Sequence, residues 1–161
     1  MRSLTPIEAA VAVAIAGSVL AATVPTFVRN LRASKTTEPL EGLRHIAARA
    51  AAIADTRATT AAYPASVDVT PADVPRGEQA LDPPGTWSHA TWRALDMEFT
   101  APHAYSFAFE SKNGEGYATY RARAHGDLDG DGIRSTFAIA GEKRGTADPV
   151  TSPIDVEHEV E

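Results

Sequence analysis

The chain contains no cysteine, which excludes disulfide frameworks, thiolate nucleophiles and thiolate metal sites. Its five histidines, His45, His89, His103, His125 and His158, fall at no metal-ligand spacing. No glycine-rich phosphate loop follows a strand-like run, and Ser66, Ser88 and Ser106 lie in no nucleophile-elbow pattern. Asp96 and Glu98 read as a solvated edge, not as a catalytic carboxylate pair. No enzyme is expected. Basic charge is also scarce in the larger part of the chain. Residues 61–161 hold eight Lys/Arg against seventeen Asp/Glu, net −9, whereas residues 1–60 hold seven against four, net +3. An acidic globule without a basic patch has nothing to displace counterions from a phosphate backbone, so general nucleic-acid binding is not expected.

One stretch lacks charge altogether. Between Glu8 and Arg29, residues 9–28 carry no charged side chain and are mostly Ala, Val, Ile and Leu. Twenty apolar residues in a helix match a hydrocarbon core of about 30 Å. Glu8 stands at the mouth of this run. An ionised carboxylate in a membrane costs about 2.5–3.5 kcal/mol on insertion scales. The free N–H groups of a helix N-terminus favour it, but in hydrocarbon the group tends to take up a proton. A neighbouring helix's α-amino group would keep it ionised, and removing either partner then costs about 3–5 kcal/mol. Such a pair also fixes the axial offset between neighbours. Two other readings stay open: a signal peptide removed near Ala21-Ala22-Thr23, and a Glu8 that merely lies at the lipid–water boundary.

The run Leu4-Thr5-Pro6-Ile7-Glu8, the apolar helix, Gly17, Pro25 and the basic Arg29 to Lys35 segment together resemble the N-terminus of type IV pilins and pseudopilins. The resemblance covers about the first 55 residues; Ser3 and Leu4 stand where the family has Gly and Phe. It implies cleavage by a prepilin peptidase between Ser3 and Leu4, methylation at Leu4, and assembly through Glu8, with Gly17 and Pro25 as points where the helix deforms. It implies other copies or other pilins as partners in a helical filament, together with the pilus assembly machinery. It also implies a single pass through inner-membrane lipid before assembly, with the C-terminal domain outside and then in an extracellular pilus. The expected fold is α+β: a long N-terminal helix packed on a small antiparallel sheet. A secretion pseudopilin or a minor, tip-located pilin is the alternative within the class. Outside it, the alternative is a membrane-tethered calcium-dependent binding domain that does not polymerise.

The chain divides on this reading into a leader (1–3), a hydrophobic helix half (4–28), an amphipathic half (29–57), a globular loop and sheet domain (58–145) and an acidic, mobile tail (146–161). Leu40, Leu43, Ala47, Ala50 and Ala54 recur at helical spacing, with Pro39 and Gly42 expected to bend or soften the turn. Prolines and glycines punctuate residues 59–91, where Trp87 and Trp92 are expected to anchor a loop to the core. Residues 91–99 read as a helical turn or a strand entry. Residues 105–109, 117–124 and 135–139 read as strands, the first two joined by a turn in Lys112-Asn113-Gly114-Glu115-Gly116.

The only constellation with metal chemistry is Asp127-Leu128-Asp129-Gly130-Asp131-Gly132-Ile133. Alternate aspartates present hard oxygen ligands suited to Ca²⁺, with the Ile133 carbonyl and Ser135 as further candidates. The spacing copies the opening of an EF-hand loop, but Ala138 stands at the position of its bidentate Glu. Two Asp-Gly pairs are also ordinary turn chemistry between strands.

Overall fold

The computed structural model describes residues 5–157. The chain divides after Thr36 into two compact units. The first contains one helix, α1 (Pro6–Lys35). The second opens with α2 (Thr37–Asp55), then a 3₁₀ turn (Thr59–Ala61), strand β1 (Val67–Thr70) and the short α3 (Ala90–Ala94). Strands β2 (Tyr105–Gly114), β3 (Tyr117–Gly126), β4 (Ser135–Arg144), β5 (Val150–Thr151) and β6 (Asp155–Glu157) follow.

This corrects the expected fold. The second unit is a six-stranded antiparallel sheet in the order β1-β2-β3-β4-β5, with β6 also paired to β4. The helix that packs on it is the 19-residue α2, and no continuous helix runs from residue 4 to residue 57. The break has a local cause. Pro39 has no N–H to give to the carbonyl of Lys35, and its ring collides with that carbonyl in a continued helix. A new start at Thr37 puts Pro39 in the first turn, where no intrahelical donor is needed. By contrast α1 continues through Pro25. The C-terminal stretch is corrected too: Asp155, Val156 and Glu157 pair with Ala138, Phe137 and Thr136, so this part of the tail is strand.

The core follows from a size rule across the sheet. Phe107 lies opposite Ala124, which lies opposite Phe137; Phe109 lies opposite Ala122, which lies opposite Ile139. The central strand thus supplies small residues between large ones, and Leu43, Ile46, Ala47, Ala50 and Ala54 of α2 join them in one buried cluster. Each fully buried Leu, Ile or Phe contributes about 1.5–3 kcal/mol. Gly42 does not merely soften the helix. A Cβ there would sit 2.6 Å from the Phe107 ring, so only glycine admits the ring.

Polar groups close both ends of α2. At its start the Glu38 carboxylate accepts the Ala104 N–H (3.0 and 3.1 Å) and the Tyr105 N–H (2.9 Å). At its end the buried Lys143 of β4 donates from Nζ to the carbonyls of Ala54 (2.5 Å) and Arg57 (2.8 Å). Asn113 is a clamp, not a turn residue. It accepts the Tyr63 N–H at 2.9 Å and donates to the Tyr63 carbonyl at 2.8 Å, leaving Glu115-Gly116 as the hairpin turn. Trp87 and Trp92 are buried edge to face at 5.3 Å, anchoring the loop as expected.

Burial raises the Glu38 carboxyl above its ordinary range, partly offset by the two N–H groups it accepts. Glu38→Ala should strand both buried donors and cost about 2–4 kcal/mol. Glu38→Gln, which keeps an acceptor, should cost less than half of that. The folded state holds this proton more tightly than the unfolded one. Its stabilising contribution is therefore full below the ordinary carboxylate range and is lost as pH rises through the raised value. Urea titrations from pH 4 to 7 should show that component in the wild type and not in Glu38→Gln.

Candidate functional site

Two features remain after the core is accounted for: the surface of α1 and the loop between β3 and β4. The N-terminus of α1 is fixed by Thr5-Pro6-Ile7-Glu8. Glu8 Oε2 accepts from the Thr5 N–H and hydroxyl, both at 2.8 Å, while Thr5 Oγ1 accepts the Glu8 N–H at 3.3 Å. This is a capping box with proline at the first helical position. The Thr5 backbone N–H, followed by its hydroxyl, holds the Glu8 carboxyl below its ordinary value. The Thr-x-x-Glu signal was present in the sequence and escaped the reading above.

Further along α1, the Ser18 hydroxyl donates to the Ala14 carbonyl and the Thr23 hydroxyl to the Val19 carbonyl, each at 2.8 Å. These polar side chains are satisfied by the helix itself. The apolar ones are not covered: Ile7, Val11, Val13, Ile15 and Val19 are each more than half exposed. Ile7, Val11, Ile15 and Val19 follow at four-residue steps and make a β-branched ridge of the kind that enters the groove of a second helix. Gly17 is open, with nothing within 4 Å of a Cβ built there. Ser3 and Leu4 lie outside the described residues.

The expected single pass through the inner membrane is corrected. Among the described residues, no helix is long and apolar enough to cross a membrane. Gly17, Ser18 and Thr23 set small and hydroxyl-bearing residues within the described part of the run.

In the β3–β4 loop, one carboxylate oxygen from each of Asp127, Asp129 and Asp131 lies within 4.8 Å of the others. Asp127 is buried, and the other two are exposed. The buried carboxylate organises the turn, accepting the Gly130 N–H at 2.8 Å and the Gly132 N–H at 3.1 Å. Asp129 accepts from Asp131 N–H (3.2 Å) and Asp131 from Ile133 N–H (2.6 Å). Gly130 and Gly132 take φ of 80° and 93°, conformations that disfavour side chains. The Asp127 carbonyl accepts the Gly77 N–H at 2.8 Å, tying the loop to the 71–80 segment. Ser135 begins β4, and its hydroxyl donates to the Gly126 carbonyl at 3.2 Å. Ala138 is buried in the strand and brings no carboxylate. The donor set is thus three clustered carboxylates, which suits a weakly held Ca²⁺ completed by carbonyls and water.

No protein-family model, curated protein or solved structure matches the chain. The reading of its function therefore rests on the α1 surface and the aspartate loop.

The structure also exposes groups that the sequence reading passed over. Among them are the Glu38 and Lys143 contacts at the ends of α2 and a buried pair, His103–Asp82, with Nε2 and Oδ2 2.8 Å apart. Each joins residues far apart in the chain, and no local spacing announces them.

Proposed function

We propose that the protein is a structural subunit of a type IV pilus-like filament, assembling through α1 and displaying the sheet unit. A pseudopilin or a minor, tip-located subunit is the same role in another filament. One observation carries the reading: α1 turns its hydroxyls back onto its own backbone while leaving a β-branched ridge uncovered. A helix with that surface gains by packing on another, and a second copy offers the matching ridge and grooves. Removal of Met1 to Ser3 and methylation of Leu4 belong to this reading. Loss of three residues with gain of one methyl group in the intact mass of native protein is the expected signature.

Negative-stain microscopy of native protein that has lost Met1 to Ser3 should show filaments. Ile15→Asp, which puts a carboxylate on the ridge, should leave single subunits with an intact sheet. Wild-type chain that sediments as a monomer, or Ile15→Asp that still forms filaments, would sink the reading.

A calcium site in the aspartate loop is the second part of the proposal, resting on the 4.8 Å clustering of three carboxylates. At ten times the dissociation constant a bound ion stabilises the fold by about 1.4 kcal/mol. Millimolar Ca²⁺ should therefore raise Tm by about 5 °C over chelator, and the double change Asp129→Asn, Asp131→Asn should remove the shift. An unshifted wild type would count against ion binding.

A further inference from the structure

A chemically labile pair of residues lies away from both features, at the end of β2. Asn113-Gly114 is the only Asn-Gly in the chain; the other asparagine, Asn30, precedes Leu31. Asn113 is exposed to water, yet its carboxamide is engaged at both ends. Oδ1 accepts the Tyr63 N–H at 2.9 Å, and Nδ2 donates to the Tyr63 carbonyl at 2.8 Å. Tyr63 itself is 3 % exposed, with its ring edge to face against Tyr120 at 4.9 Å. Its hydroxyl has no hydrogen-bond partner among the described residues, a burial cost that the clamp helps to offset. Two further contacts hold the same segment to the hairpin. The Ser111 hydroxyl donates to the Pro64 carbonyl (2.5 Å), and the Gly116 N–H to Thr59 Oγ1 (3.1 Å).

We propose that Asn113 is a deamidation site gated by its clamp on Tyr63, and that the reaction loosens the 59–66 segment irreversibly. The chemistry is intramolecular. The Gly114 nitrogen gives its proton to water and attacks Asn113 Cγ. A five-membered succinimide closes, the Cγ–Nδ2 bond breaks, and Nδ2 leaves as ammonia, taking a proton from water. A water molecule then opens the ring at either carbonyl, giving aspartate or an isoaspartate whose main chain runs through Cγ. Net, one water enters and one ammonia departs. Glycine favours the attack because no Cβ shields its nitrogen. In the folded chain the approach is blocked twice. The clamp holds the carboxamide toward Tyr63, and Gly114 is paired with Tyr117 across the hairpin. Reaction therefore waits on opening of the clamp, and its rate follows the opened fraction. The products cannot remake the clamp. Aspartate has no donor for the Tyr63 carbonyl and sets a carboxylate oxygen against it. Isoaspartate lengthens the main chain of β2 beside the turn.

Peptide mapping of the full chain, aged in mildly alkaline buffer with and without urea, tests the gate. The two clamp hydrogen bonds should make Asn113 deamidate at least about tenfold more slowly in the folded chain. Ser111→Ala, which takes the donor from the Pro64 carbonyl, should speed the folded reaction about fivefold. Asn113→Asp supplies the aspartate product directly. Hydrogen exchange of the Gly116 amide, which reports the seat of the segment at Thr59, should then run about tenfold faster than in wild type. Equal deamidation rates in folded and urea-unfolded chain, a Ser111→Ala rate no different from wild type, or an unchanged Gly116 amide in Asn113→Asp would overturn the proposal.

Discussion

Glu8→Gln is expected to abolish assembly while leaving α1 helical. Glutamine can still fill the capping box with Thr5, so the start of the helix keeps its geometry. What it loses is the charge. In the proposed filament the Glu8 carboxylate meets the terminal amine of a neighbouring copy in an apolar setting, and removing one partner strands the other. The cost is about 3–5 kcal/mol per contact, on the order of 10²- to 10³-fold in the association constant. Glu8→Ala should fail as well, with about 1 kcal/mol of cap loss added. Sedimentation of native protein carrying each change reads the result, with circular dichroism reporting the helix. If Glu8→Gln assembles like wild type and only Glu8→Ala fails, Glu8 is a helix cap and nothing more.

Lys143→Met should be the most damaging change in the sheet unit outside the aromatic core. The methionine stem fills the same space, but the ammonium that ends α2 is gone. Its partners are the carbonyls of Ala54 and Arg57, with Asp55 at 3.5 Å. Charge-assisted hydrogen bonds of this kind are worth about 1.5–3 kcal/mol each, and the cation also meets the negative end of the helix dipole. A net loss of about 3 kcal/mol and a fall in Tm of about 10 °C are expected by calorimetry. A fall of less than 2 °C would mean that water replaces the ammonium at little cost.

What the sequence revealed and what it hid divide along physical lines. Alternation in residues 105–109, 117–124 and 135–139 placed three strands, because period-two burial is a local property; each then extends to a ten-residue strand. The stripe through Leu43, Ala47, Ala50 and Ala54 located the buried face of α2 for the same reason. The helix break was also local, yet the consequence of Pro39 for the Lys35 carbonyl was underestimated, and a single helix was expected in place of two. The acidic end was read from charge alone, whereas Val156 and its neighbours follow the pairing available on β4. The aspartate triad was legible because its spacing is its geometry. The Glu38, Lys143 and His103 contacts were not, since each partner stands 20 to 90 residues away and only the folded chain brings them together.

The central claim is that α1 packs on α1 of a neighbour with an offset set by Glu8. If Glu8 of one copy reaches the terminus at Leu4 of the next, the helices are displaced by about four residues, on the order of 6 Å. Ile15 of one copy then faces Val11 of its neighbour. The chain has no cysteine of its own, so Val11→Cys and Ile15→Cys each introduce a single thiol. Mild oxidation of filaments mixed from the two variants should give disulfide-linked dimers of unlike copies, while filaments of either variant alone stay uncrosslinked. Dimers from Ile15→Cys alone, or none from the mixture, would contradict the offset and with it the account of Glu8.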